Sequence, residues 1–112
     1  MNRGEIYYAD LSPVVGSEIA KRRPVLIVSN NANNRAAATV TIVPITSQIK
    51  RVYPFEVLLK SEESGLPKLS KAQVQQIRTI SKQRILGDKA GNLVDDSMQA
   101  VEAALKLHLD LR

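Results

Sequence analysis

Cysteine and tryptophan are absent from this 112-residue chain, and phenylalanine and histidine occur once each. Without a thiol there is no disulfide framework, no thiolate nucleophile and no thiolate metal site. A single histidine, His108, cannot supply both the acid and the base of a two-histidine ribonuclease site. No apolar stretch approaches the roughly eighteen residues of a membrane-spanning helix. Met1–Glu5 has neither the basic nor the apolar segment of a secretory leader, so a cytoplasmic location with no membrane partner is expected. Asp10, Glu18 and Glu56 lack the spacing of a two-metal nuclease cluster, so neither a metal nor another cofactor is expected.

What the chain does contain is ordinary apolar content and an uneven charge. Val, Ile and Leu are frequent enough to argue against disorder, and the length suits one domain, residues 1–112, with one modest core. Residues 1–94 carry fourteen Lys/Arg against seven Asp/Glu, whereas residues 95–112 carry two against four, which together give the formal +5. The cations cluster as Lys21-Arg22-Arg23, as Lys50-Arg51, and as Arg78, Lys82 and Arg84. Converging on one face, they would form the electrostatic footprint of a nucleic-acid site.

Hydrophobic patterning predicts several short strands and one helix. Gly4–Leu11 alternates as a half-buried strand, and a loop follows through Ser12-Pro13 and Gly16-Ser17 to about Arg22. Arg23–Ser29 and Thr39–Ile45 are β-branched runs of central-strand type, joined by an Asn-rich connector with room for one short helical turn. Pro54–Leu59 alternates again, and Ser61–Gly65 reads as a turn closed by its glycine. Lys71–Ile80 fits either a strand with an irregularity or a short helix, the strand being favoured because Ser81–Ile85 follows too closely for a helix, and Gly87 and Gly91-Asn92 mark the turn after it. Met98, Val101, Leu105 and then His108 or Leu109 give a last helix one apolar face, with Asp95 or Asp96 as N-cap. This pattern makes a small β-barrel or curled sheet with a helix against it.

Two groups stand at strand ends, where side chains are held firmly and still meet solvent. Arg23 precedes Pro24, which restricts it to an extended backbone and so aims its guanidinium. Thr46, Ser47 and Gln48 add two hydroxyls and an amide just past the next buried run. A fork of permanent charge beside hydroxyl and amide groups suits a phosphate oxyanion. Glu18, in a loop of small residues, is placed to pair with Arg22 or Arg23. Glu56 alternates with Phe55 and Val57 and is read as a solvent-face strand residue. His108 is read as structural. One of Tyr7 and Tyr8 is expected in the core, and the other is free to stack on a base, as is Tyr53.

With Gly16-Ser17-Glu18 upstream of Arg23-Pro24, and Pro44-Ile45-Thr46-Ser47-Gln48 followed by Tyr53–Val57, the chain resembles the MazF/PemK family of endoribonuclease toxins from Arg3 to about Leu109. The resemblance implies an SH3-like β-barrel with a C-terminal helix, a homodimer, and metal-independent cleavage of single-stranded RNA. Cleavage would leave a 2′,3′-cyclic phosphate or 3′-phosphate and a 5′-hydroxyl. It further implies that Arg23 and Thr46 are catalytic, supported by Glu18, Ser47 and Gln48, and that a cognate antitoxin with an acidic, disordered tail is the inhibitor. Ser17, Lys21, Arg22, Lys50 and Arg51 would border the RNA groove, along with Gln76 and Arg78 of the Gln76–Ile80 segment. The general base is left open. One alternative is a gyrase poison of the same architecture, as the CcdB toxins are. Those act through a C-terminal Trp-Gly-Ile, whereas this chain has no tryptophan. The other is an RNA-binding barrel without catalysis.

Overall fold

The protein is described from a computed structural model of residues 1–112. The elements run β1 (Glu5–Asp10), β2 (Arg22–Ile27), α1 (Asn31–Ala36), β3 (Thr39–Thr46), β4 (Glu56–Leu59) and α2 (Ser61–Ser64). They continue as β5 (Ser70–Gln73), β6 (Arg78–Ser81), β7 (Ile85–Asn92) and α3 (Asp95–Leu109). All pairings are antiparallel, in the order β4-β5-β3-β2-β1-β7, with β6 on the same side of β3 as β5. β4 and β7 do not pair with each other, so the expected barrel is open between these two edges.

The continuous apolar runs arise because both faces of the central strands are covered. Along β2, Val25 and Ile27 enter one buried cluster with Ala9, Leu11, Val40 and Ile42. Leu26 points the other way, into a larger cluster with Ile6, Val43, Ile45 and Val74, which α3 caps with Met98, Val101 and Ala104. Each such side chain contributes about 1.5–3 kcal/mol when fully buried. A slip of one residue would exchange the two sets of side chains, so the β2–β3 register is firmly specified.

The irregularity expected in Lys71–Ile80 is a 3₁₀ turn, Val74–Gln76, between β5 and β6. β3 pairs with β6 through its first half and with β5 through its end, and the register advances by three residues between them, the length of that turn. The Asn-rich connector folds as α1, with the Asn30 side chain accepting from the Asn33 N–H. Gly65 closes α2 in the left-handed conformation.

Two boundaries differ from the sequence expectation. Gly87 and Gly91 do not mark a turn but lie within β7, an edge strand that pairs only with β1. Gly91 is there for close approach: a Cβ would run into the Ser64 carbonyl of α2. The α3 N-cap is Val94, whose side chain makes no cap bond, and Asp95 and Asp96 occupy the first turn, where they still complement the dipole. Of the expected apolar face, Met98 and Val101 are buried with Ala104, Leu105 is half-buried, and His108 and Leu109 are exposed. The His108 ring lies tilted beside Phe55, with ring centroids 6.4 Å apart.

Gly91→Ala should therefore lower stability by about 1–3 kcal/mol through overpacking. Urea denaturation checks this, and an unchanged midpoint would show that α2 can move away from β7 freely.

Candidate active site

β2 and β3 bring the two strand-end groups together. Val25 pairs with Pro44, Leu26 with Val43 and Ile27 with Ile42, so continuing the register two residues sets Arg23 opposite Thr46. Between them opens a cleft of about 230 Å³. Arg22, Arg23 and Pro24 form one wall, and Ile45, Thr46 and Ser47 form another. Tyr8 enters from β1, and Leu66, Pro67, Lys68 and Ser70 come from the segment leading into β5. Three cations line the cleft and no carboxylate does, so an anion is the ligand that its charge favours.

Arg23 is half-buried, and its Nε donates to the Ala20 carbonyl at 3.2 Å. That bond holds one edge of the guanidinium and leaves the terminal amino groups without a protein acceptor. Thr46 is only 5% exposed, and its hydroxyl oxygen accepts from the Gln48 N–H at 3.1 Å. The hydroxyl proton stays available to a ligand oxygen. Arg22 lies over the Tyr8 ring, 5.0 Å from its centroid, an interaction worth about 0.5–1 kcal/mol at an exposed site. Such a contact orients Arg22 but is too weak to position the strands, which the core does.

The other sequence candidates fall outside the cleft wall. Glu18 pairs with neither arginine; its carboxylate accepts from the Val15 N–H at 2.6 Å, tightening its own loop. Gln76 accepts from the Ile19 N–H and donates to the Ser17 carbonyl, tying the same loop to the turn after β5. Ser17, Lys21, Gln48, Lys50 and Arg51 are exposed and line no part of the cleft. The third basic cluster is turned inward. Arg78 donates to the Leu11 carbonyl, Lys82 to that of Asn34, and Arg84 to those of Asp10 and Ser12. These cations serve as donors to backbone carbonyls at the end of β1, in the loop after it and in α1. The three clusters therefore do not form one open basic face.

Glu56 is not on the solvent face. It is 6% exposed and forms an ion pair with Lys71 at 2.9 Å, while Gln75 and the Tyr53 N–H also donate to its carboxylate. Burial alone pushes the Glu56 pKa up. The hydrogen bonds from Gln75, Lys71 and the Tyr53 N–H, with the Lys71 charge, outweigh that and hold it below its ordinary value. Of the tyrosines, Tyr7 packs against the smaller cluster, and burial followed by its bond to Glu5 pushes its hydroxyl up to about 12. Tyr8 is the one that reaches the cleft. Sequence reasoning missed Leu66, Pro67, Lys68 and Ser70. No local pattern marks them, since they reach the cleft through the pairing of β5 with the end of β3.

The likeness to known proteins extends over this whole arrangement. Residues 2–109 match the family of PemK-like, MazF-like toxins of type II toxin-antitoxin systems. The chain belongs to that family. It is 44% identical to endoribonuclease MazF9 of Mycobacterium tuberculosis, with 99% of this chain and 98% of the relative covered. To endoribonuclease EndoA of Bacillus subtilis it is 43% identical, with 99% and 96% covered. A mycobacterial endoribonuclease solved in complex with its cognate antitoxin superposes with a TM-score of 0.81 at 30% identity, covering 100% of this chain and 97% of that one. MazF from Deinococcus radiodurans shares the fold at a TM-score of 0.85 and 24% identity, with 99% and 97% covered.

The Glu56 carboxylate has a pH consequence. A depressed folded-state pKa contributes stability that is present above the ordinary value of 4.5 and is lost as pH falls below it. The stability gap between the native protein and Glu56→Gln should therefore be widest near neutrality and narrow as pH drops below 4.5. Denaturant titrations across that range check this, and a gap that stays constant would show that the carboxylate is not held in its ionised form.

Proposed function

We propose that residues 1–112 form one toxin domain acting as a sequence-specific endoribonuclease on single-stranded RNA, opposed by a cognate antitoxin. One observation carries this reading: Arg23 and Thr46, from strands set opposite by the core, share a cationic cleft without a carboxylate. The names of the two curated relatives, both endoribonucleases, support it.

RNA brings its own nucleophile, so the protein has to position the backbone and stabilise charge. The 2′-hydroxyl attacks the adjacent phosphorus, the bond to the 5′-oxygen breaks, and a 2′,3′-cyclic phosphate (or the 3′-phosphate it hydrolyses to) and a 5′-hydroxyl remain. Arg23 offers its free amino groups to the phosphorane oxygens as their charge rises, and Thr46 donates its hydroxyl proton to a non-bridging oxygen. Arg23 acts by charge and not as an acid, because a guanidinium keeps its proton in proteins. No histidine or carboxylate lines the cleft, so the 2′-oxygen loses its proton, and the 5′-oxygen gains one, through water. In this reading the reaction uses no metal, with Arg23 and Thr46 supplying the charge stabilisation. Tyr8, with Leu66 and Pro67 across from it, offers a splayed base an apolar surface.

The antitoxin would act by occupying the same ground. An acidic, disordered tail complements the cleft and the exposed Lys21, Lys50 and Arg51, and its carboxylates would take the phosphate positions. A mycobacterial endoribonuclease solved in complex with its cognate antitoxin supports an antitoxin as the partner. Self-association through α3 completes the reading. Leu107, Leu109 and Leu111 are 61%, 47% and 58% exposed, and Leu107 borders an apolar groove with Pro54, Val57 and Leu58 of the β4 region. A homodimer would bury this patch in a self-complementary contact.

Arg23→Ala and Thr46→Ala should each slow cleavage of a defined RNA by about 10²–10³-fold, the scale of one lost oxyanion donor, with the fold retained. Near-native cleavage by purified Arg23→Ala would overturn the mechanism, as would activity that EDTA abolishes and magnesium restores. Light scattering should give twice the 12.3 kDa chain mass, and Leu107→Lys should shift it toward one chain. A native mass of one chain at micromolar concentration contradicts the dimer.

A further inference from the structure

The loop between β3 and β4, residues 47–55, carries Ser47, Gln48, Lys50 and Arg51. No backbone–backbone hydrogen bond joins residues 47–52 to the rest of the protein. Beyond the bond from the Gln48 N–H to the Thr46 hydroxyl, what holds the loop is a buried ion pair reaching out from the sheet. Lys71, 7% exposed, sits opposite Thr46 in the β3–β5 register. Its ammonium donates to the Arg51 carbonyl at 2.6 Å as well as to Glu56 at 2.9 Å. Glu56 accepts in turn from the Tyr53 N–H at 3.0 Å, and Gln75 steadies its other oxygen at 2.9 Å. Arg51 then lies against Tyr53, its Nη1 donating to the Tyr53 hydroxyl at 3.0 Å.

A pair this buried is a poor choice for stability alone. Desolvating two charges offsets much of their attraction, and apolar side chains of similar volume often serve as well. Here, however, both charges are also bonded to backbone groups of the loop, which apolar side chains could not grip.

We propose that Lys71 and Glu56 are positioning residues that fix the 47–55 loop beside the cleft and so set how tightly and selectively the substrate strand is held. This inference rests on the ribonuclease reading above. Neither residue touches the reacting phosphate in this account. Their loss acts on binding and on the choice of cleavage site, while Arg23 and Thr46 keep the bond-breaking step.

The test compares the native protein with the apolar double variant Glu56→Leu/Lys71→Met, and with Lys71→Arg, which can still donate to both partners. Two measurements are made: the rate of tryptic cutting after Lys50 or Arg51, and KM and kcat on a set of RNA oligonucleotides differing around the preferred site. The double variant should be cut by trypsin about tenfold faster and show a KM about tenfold higher, the scale of one or two lost charge-assisted hydrogen bonds. Its kcat should stay within about threefold and its preference among oligonucleotides should flatten, whereas Lys71→Arg should keep tryptic rate and KM close to native. Unchanged tryptic rate and KM in the folded double variant would reduce the pair to a structural role and overturn the proposal. A fall in kcat with KM unchanged would overturn it too, by moving the pair into the chemical step. If the double variant does not fold, Glu56→Gln, which keeps the shape and one acceptor, should show smaller shifts in the same direction, and no shift counts against the pair. Failure of the native protein to cut any RNA would sink the ribonuclease reading, a result distinct from the tryptic one.

Discussion

The antiparallel register between β2 and β3 is the constraint on which the site depends. Each strand buries side chains on both faces, Val25 and Ile27 with one cluster and Leu26 with the other, and Ile42 and Val43 divide in the same way. Several contributions of about 1.5–3 kcal/mol act together on one register, and a one-residue slip forfeits all of them. Arg23 and Thr46 add little to this and gain their geometry from it. They stand just beyond the last residues that β2 and β3 pair with each other, close enough to inherit the order of the core while lining the cleft. β3 also makes the remaining connections, pairing with β6 and then β5, which brings Ser70 and Lys68 to the far wall of the cleft.

The cations divide by what they bind. Arg78, Lys82 and Arg84 donate to backbone carbonyls, Lys71 is buried against Glu56, and Arg3 forms a surface pair with Glu102 worth about 0–1 kcal/mol. Arg22, Arg23 and Lys68 line the cleft, and Lys50 is exposed in the neighbouring loop. The basic excess therefore serves two purposes. One part supplies donors to a small, loop-rich fold, and the other leaves a local positive field with no carboxylate inside it.

The strands and the paired strand ends were legible in the sequence because they rest on local patterns: β-branched runs, alternation, and a proline that fixes its neighbour. Gln76 was legible only as part of a motif, and its function in holding the Ser17–Ile19 loop needed the structure. Glu56 was misread because alternation gives a residue its face but not its partner, and the Lys71 beside it comes from another strand. Gly87 and Gly91 were misread as a turn because an edge strand tolerates glycine and the packing of α2 onto β7 requires it at Gly91. The wall formed by Leu66, Pro67 and Lys68 carries no local signal, being assembled only when β5 docks beside β3.

The central claim is that the protein supplies a charged, positioned gap and the RNA supplies the nucleophile. The most direct measurement is mass spectrometry of the products from a defined RNA, alongside the same strand with one 2′-deoxy nucleotide immediately 5′ of the cut. This account predicts a 2′,3′-cyclic phosphate or 3′-phosphate on one fragment, a 5′-hydroxyl on the other, and no cut at the deoxy position. Fragments ending in a 3′-hydroxyl and a 5′-phosphate, or cleavage that persists at the deoxy position, would contradict it.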